Sequence, residues 1–111
     1  MRILVVGGGI GGLSTAIALR RRDVDVDVVE INPKWDVYGV GIIQPGNAIR
    51  ALDQLGLGER AIAQGFAIQG SRFRDGQGNE LGAVPAPPLL GDRYPGMNGI
   101  TRPRLHRIFQ D

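Results

Sequence analysis

Cysteine is absent from the chain, and histidine occurs once, at position 106. The first absence excludes a disulfide framework, a thiolate zinc site and a thiol nucleophile. The second leaves no partner for a catalytic triad or a histidine metal cluster. Between Arg104 and Arg107, His106 is expected to be exposed or to cap a helix. A large excess of one charge is also missing. Thirteen basic and eleven acidic residues leave a net charge of +2, too little to support a nucleic-acid surface. The Arg20-Arg21-Arg22 run reads as a solvated cluster at the negative end of a helix dipole. No apolar run approaches the ~20 residues that span a bilayer. The N-terminal apolar run is short and meets glycines at once, unlike a signal peptide, so the cytoplasm is the expected compartment. With 42% hydrophobic and 22% charged residues in 111, a globular domain with a modest core is expected.

Glycine is plentiful, at 18 residues, and its placement near the N-terminus carries the reading. Ile3 to Val6 is a continuous apolar run, as in a parallel strand buried on both faces. It leads into Gly7-Gly8-Gly9-Ile10-Gly11-Gly12. A helix is predicted over about Gly11 to Arg22, with Leu13, Ala16, Ile17 and Leu19 on its inner face. A second strand, Val24 to Glu30, ends in a carboxylate. Asp23 stands where glycine often ends the helix, and aspartate tolerates a left-handed turn at some cost.

This order builds a dinucleotide pocket. Gly7 permits the tight turn, Gly9 lets the backbone approach a pyrophosphate, and Gly12 lets the helix pack closely on the strands. The N–H groups near Ile10 and Gly11 lie at the positive end of the helix dipole. Glu30 is suited to ribose hydroxyls and repels a 2′-phosphate. On these residues alone NAD and FAD are equal candidates. The plainer alternative is a glycine-rich turn in another α/β domain, with Glu30 merely exposed.

The rest of the chain reads in pieces. Ile31 to Gly46 is expected to be a loop. Asn47 is expected to cap a helix through Leu55, and Glu59 to Gln64 to add a short helical turn. Phe66 to Phe73 and Asn79 to Val84 flank Asp75-Gly76-Gln77-Gly78 as a hairpin. Pro85 to Gly99 has no period and reads as loop. A helix begins at Arg102-Pro103, proline suiting the first turn. Leu105, Ile108 and Phe109 form an apolar face on it, with little of the chain left to bury them. Asp25 and Asp27 share a strand parity, which suits a solvent-facing side better than a metal pair. Trp35 and Tyr38 suit loop packing better than adenine stacking.

The stretch Gly7 to Glu30 resembles the FAD-binding motif of flavoproteins. Gly39-Val40-Gly41-Ile42-Ile43-Gln44-Pro45-Gly46-Asn47-Ala48, followed by Ala51-Leu52 and Leu55-Gly56-Leu57, resembles the next segment of the FAD-dependent aromatic hydroxylases, the p-hydroxybenzoate hydroxylase-like or group A flavoprotein monooxygenases. Ile100-Thr101-Arg102-Pro103-Arg104-Leu105 resembles their arginine-x-x-leucine helix start. The resemblance implies an α/β fold: a Rossmann-like βαβ FAD/NAD(P)-binding fold, incomplete, with a β-hairpin. Residues 1–111 would be the N-terminal part of an FAD-binding domain, with the substrate domain elsewhere in a longer protein. Gly7, Gly9, Ile10, Gly11 and Gly12 would hold the pyrophosphate of FAD, and Glu30 the adenosine ribose. Gly41 and Ile42 would lie by the flavin or its ribityl chain, and Arg102 by the phosphate or ribityl region. The implied activity is hydroxylation of a small aromatic molecule with NAD(P)H and O₂. The cofactor carries that chemistry, so no residue here is given a catalytic or metal-binding role. Another FAD-dependent oxidase or reductase, or a non-catalytic nucleotide-binding module, remains open. So does self-association of the chain to complete its core.

Overall fold

The computed structural model describes all residues from Met1 to Asp111. In chain order the elements are β1 (Arg2–Val6), α1 (Ile10–Arg20), β2 (Asp25–Val29), β3 (Gly41–Pro45), α2 (Gly46–Gln54), α3 (Gly58–Gln64), β4 (Phe66–Ile68), β5 (Gly70–Arg74), β6 (Glu80–Pro85), β7 (Met97–Thr101) and α4 (Arg102–Gln110). They divide into two units, residues 1–40 with 101–111, and residues 41–100.

The first unit is the βαβ element that the opening residues predict. β1 and β2 are parallel, with Arg2 opposite Asp25 and Val6 opposite Val29. Side chains alternate along both strands, so Ile3, Val5, Val26 and Val28 share the more buried face. α1 packs against both strands and buries Leu13 and Ala16. On the other face Leu4, Val6 and Val29 remain exposed. Arg2 and Asp27 lie there as a bidentate pair, at 2.6 and 2.9 Å. Asp27 is therefore an ion-pair partner on an exposed side, as its parity suggests.

α1 ends at Arg20, followed by a turn in which Asp23 adopts φ 58°. A left-handed aspartate is tolerated but costs more than glycine there. Asp23→Gly is expected to stabilise the chain by about 0.5 kcal/mol, glycine's larger unfolded-state entropy offsetting part of the relief. Thermal melting of the two chains checks it, and an unchanged or lower midpoint would contradict it.

α4 corrects the expectation that its apolar face has little to bury it. The helix packs back on α1, and Leu105, Ile108 and Phe109 are 3%, 1% and 5% exposed. Burying three such side chains contributes about 1.5–3 kcal/mol each before entropic costs. The helix starts where proline predicts, with Pro103 in its first turn.

In the second unit a three-stranded sheet has the order β3-β7-β4. β4 pairs antiparallel with β7, Phe66 opposite Gly99. α2 and α3 pack on each other, burying Ile49, Leu52 and Ala61. β3 lies within, and β7 begins within, stretches expected to be loop. α2 is capped by Pro45, not Asn47, and no side chain caps it. Pro45 has φ −68°, the angle its ring imposes, so the extended residue before the helix is already set there. The expected strand Phe66–Phe73 is divided between β4 and β5. Only β5 joins the hairpin with β6. The hairpin turn is as read: Asp75 Oδ1 accepts from the backbone N–H of Gln77 and Asn79.

Candidate functional site

The glycine turn leaves β1 at Gly7, whose φ is 107°, a conformation that side chains rarely tolerate. The Gly7 N–H donates to the Val29 carbonyl at 2.8 Å, so the turn is tied to the end of β2. α1 begins at Ile10, with Gly9 as its N-cap. No side chain caps this helix, and no acidic residue sits in its first turn. The first backbone N–H groups therefore keep their donor capacity, and the dipole favours an anion there.

The glycines have separable roles. A methyl group added at Gly12 would collide with the Gly7 carbonyl oxygen and lie 3.3 Å from Val5 Cγ1. Gly12 therefore sets the approach of helix to strand. Methyl groups at Gly9 and Gly11 would meet nothing within 4 Å. Those two positions form the open side of the turn, where a ligand's approach is limited only by backbone. At Gly8 the neighbour is Trp35: an added methyl would lie 2.7 Å from its Cζ3 and 3.1 Å from Glu30 Cβ.

Glu30 is fixed beside this turn. Its Oε2 accepts the Gly8 N–H at 2.6 Å and its Oε1 the Asn32 N–H at 2.8 Å. These N–H groups, Asn32 first and Gly8 second, hold the carboxyl below its ordinary pKa. A carboxylate accepts about four hydrogen bonds in all, so ribose hydroxyls can still be bound. The loop after Glu30 is also ordered by hydrogen bonds. Asn32 Oδ1 accepts from Lys34 N–H, and the Asn32 carbonyl from Trp35 N–H. Trp35 takes a left-handed backbone, φ 52°. Trp35 thus packs on the glycine turn, while Tyr38 is exposed.

Arg102 begins α4, and its N–H donates to the Val40 carbonyl. Its side chain runs along Gly39: an added methyl there would sit 2.7 Å from Arg102 Cδ. Gly39 has φ 133°, so glycine serves both the backbone angle and the space for this arginine. Arg102 itself is exposed. Gly7, Gly9, Ile10, Gly11, Gly12, Glu30 and Arg102 all belong to the first unit. Gly41 and Ile42 open β3 in the second unit.

His106 overturns its expectation. It is 3% exposed, and its Nε2 lies 2.6 Å from the Gly8 carbonyl oxygen. A signal for this was present. His106 lies one turn from Arg102 and three residues before Phe109, inside the spacing that buries Leu105, Ile108 and Phe109. Read with those residues rather than with Arg104 and Arg107, it falls on the inner face. From the same helix Gln110 Nε2 donates to the Trp35 carbonyl at 2.8 Å.

A family profile for NAD(P)-binding Rossmann-like domains matches residues 5–35, which contain the turn, α1, β2 and Glu30. The chain is 46% identical over 109 residues to the 3-hydroxybenzoate 6-hydroxylase of Klebsiella oxytoca, covering 97% of this chain and 26% of the relative. It is 42% identical over 95 residues to the phenazine 1,6-dicarboxylic acid hydroxylase PhzS of Lysobacter antibioticus, covering 84% and 23%. Among solved structures, HpxO of Klebsiella pneumoniae, complexed with FAD and uric acid, matches with a TM-score of 0.82 and 26% identity. That match covers all of this chain and 28% of HpxO. The chain spans about a quarter of the length of the curated relatives it matches. None of its helices is long and apolar enough to cross a membrane.

Proposed function

We infer, for a chain that belongs with the N-terminal FAD-binding part of the FAD-dependent aromatic hydroxylases, that it grips the ADP half of FAD in a longer NAD(P)H-dependent monooxygenase. The observation that carries this is the Gly7–Gly12 turn with Glu30 locked against it by the Gly8 and Asn32 N–H groups. The fit to the group is good. The open positions at Gly9 and Gly11 leave room for a pyrophosphate at the N-terminus of α1. Glu30 would take the ribose hydroxyls, and the exposed guanidinium of Arg102, with its fork of donors, suits a phosphate or ribityl oxygens. Gly41 and Ile42 would lie by the flavin. When bound, FAD would supply the redox and oxygen chemistry. The residues of this chain bind and orient it.

The relatives' names, 3-hydroxybenzoate 6-hydroxylase and phenazine 1,6-dicarboxylic acid hydroxylase, support a small aromatic substrate for the whole protein; NAD(P)H and O₂ as its co-substrates and the cytoplasm as its compartment complete the proposal. In this reading residues 1–111 form the N-terminal part of an FAD-binding domain. The exposed row of Leu4, Val6 and Val29 favours self-association of the isolated chain, since parallel sheets are ordinarily covered on both faces.

Calorimetric titration of the chain tests the reading. ADP and FAD are expected to bind weakly and with similar affinity. NADP⁺ is expected to bind at least about tenfold more weakly than NAD⁺, because Glu30 repels the 2′-phosphate. Absence of any ADP binding, or equal binding of NAD⁺ and NADP⁺, would contradict the assignment of Glu30 and the turn.

A further inference from the structure

Three consecutive glycines, Gly7 to Gly9, give the turn no side chain of its own to fix its peptide planes. A peptide between two glycines meets few steric limits on rotation, because both flanking residues reach conformations closed to others. The orientation of the Gly8–Gly9 peptide must therefore be set from outside the turn. Its carbonyl lies 2.6 Å from Nε2 of the buried His106. A carbonyl oxygen only accepts, so Nε2 carries the proton, whether the ring is the Nε2–H tautomer or the cation.

The structure contains no cis peptide, and a planar trans peptide sends its N–H opposite to its C=O. Holding the Gly8 carbonyl toward α4 thus turns the Gly9 N–H away from α4. Gly9 is the N-cap of α1, and a methyl group added to it would meet nothing within 4 Å. We propose that His106 is a positioning residue for the dinucleotide phosphate: by holding the Gly8 carbonyl it aims the Gly9 N–H at the open side of the turn. The proposal rests on the ADP-binding reading and adds to it a residue outside the glycine motif. α4 braces the same region twice, since Gln110 holds the Trp35 carbonyl and the Trp35 ring covers Gly8.

The arrangement makes a prediction that a merely structural histidine does not. Loss of packing would weaken every ligand together, whereas loss of the Gly9 N–H orientation weakens phosphate binding and spares the nucleoside. Nuclear magnetic resonance of the ¹⁵N-labelled chain suits the weak affinities involved. The His106 imidazole should show a protonated Nε2 in the free chain, and an Nδ1–H tautomer would overturn the proposal without any ligand. ADP should shift the Gly9 amide and adenosine should not. His106→Leu should bind ADP about tenfold more weakly, the scale of one lost hydrogen bond to a charged group, and adenosine within about twofold of the unaltered chain. His106→Gln, whose amide can donate in place of Nε2, should restore ADP affinity to within about threefold. If His106→Leu does not fold, the tautomer and the His106→Gln titration decide. Equal losses for ADP and adenosine in His106→Leu, or no rescue by glutamine, would overturn the proposal. ADP binding that His106→Leu leaves unchanged would overturn it alone, while no ADP binding by the unaltered chain would overturn the underlying reading as well.

Discussion

Gly12→Ala is expected to destabilise the chain by about 3 kcal/mol, at the upper end of overpacking costs, and to abolish measurable ADP binding. The added methyl group would collide with the Gly7 carbonyl oxygen, lie 3.0 Å from the Gly7 carbonyl carbon and press on Val5 Cγ1. None of these atoms moves cheaply. Gly7 is tied by its N–H to Val29 at the end of β2, and Val5 lies within β1. Relief requires α1 to lift from the strands, which exposes Leu13 and Ala16. The informative comparison is with Gly9 and Gly11, where a methyl group has open space. Gly11→Ala should hold or raise stability, since alanine is favoured over glycine inside a helix by about 1 kcal/mol. Gly9→Ala should fold and yet bind ADP more weakly, because its methyl would occupy the phosphate side. Denaturant melts paired with ADP titrations separate the three outcomes. Equal stability losses at all three positions would show that the turn is generally intolerant and that Gly12 has no special contact.

These contrasts also mark what the sequence made legible. The first unit was readable because its signals are local. An apolar run, glycines at fixed spacing, an amphipathic helix and a strand-end carboxylate lie within 30 consecutive residues, and each constrains its neighbour. Asp23 was readable for the same reason: the helix must end before β2, and only a few residue types tolerate the left-handed angle. The hairpin turn announced itself through Asp75 and the glycines after it. β3 and β7 did not, because their partners are remote. β3 lies beside β7, about fifty residues away along the chain, and each strand is short, with glycine in it. Local propensity is weak for such segments, and pairing decides them. Phe66–Phe73 misled for a related reason. Its alternation runs through a point where the chain passes from one sheet to another. His106 is hard to place from its sequence neighbours, Arg104 and Arg107, because its burial follows its helical neighbours Leu105, Ile108 and Phe109. The apolar face of α4 is hard to partner from sequence because little chain follows it and its cover lies about ninety residues earlier. In the structure α1 also receives α4, and that contact brings the histidine to the turn.

Glu30→Gln is expected to weaken ADP binding by about tenfold and to narrow the difference between NAD⁺ and NADP⁺. The carboxylate faces two donors, the N–H groups of Gly8 and Asn32. A carboxamide has one oxygen and one NH₂, so one backbone N–H would face a donor instead of an acceptor. Either Gly8 or Asn32 would then lose the acceptor of its N–H, and the ribose would lose a charged acceptor. Because Asn32 and Gly8 hold the Glu30 pKa below its ordinary value, the sign of the pH dependence follows. The native state binds the carboxylate's proton less readily than the unfolded state, so this group stabilises the fold above the unfolded pKa. That contribution is lost as pH falls from the ordinary carboxylate range through the lower folded value. Asp27, held down by Arg2, and Asp75, held down by Asn79, change in the same direction, so the acid response of the unaltered chain is a composite. The difference between the unaltered chain and Glu30→Gln isolates Glu30. Denaturation midpoints should differ at neutral pH and converge under acid, with the ADP affinities converging over the same window. A midpoint difference independent of pH would mean that the carboxylate's charge is not what holds the Gly8 and Asn32 amides. Equal ADP affinities at neutral pH would reduce Glu30 to a strand-end carboxylate and move the recognition of ribose to another residue.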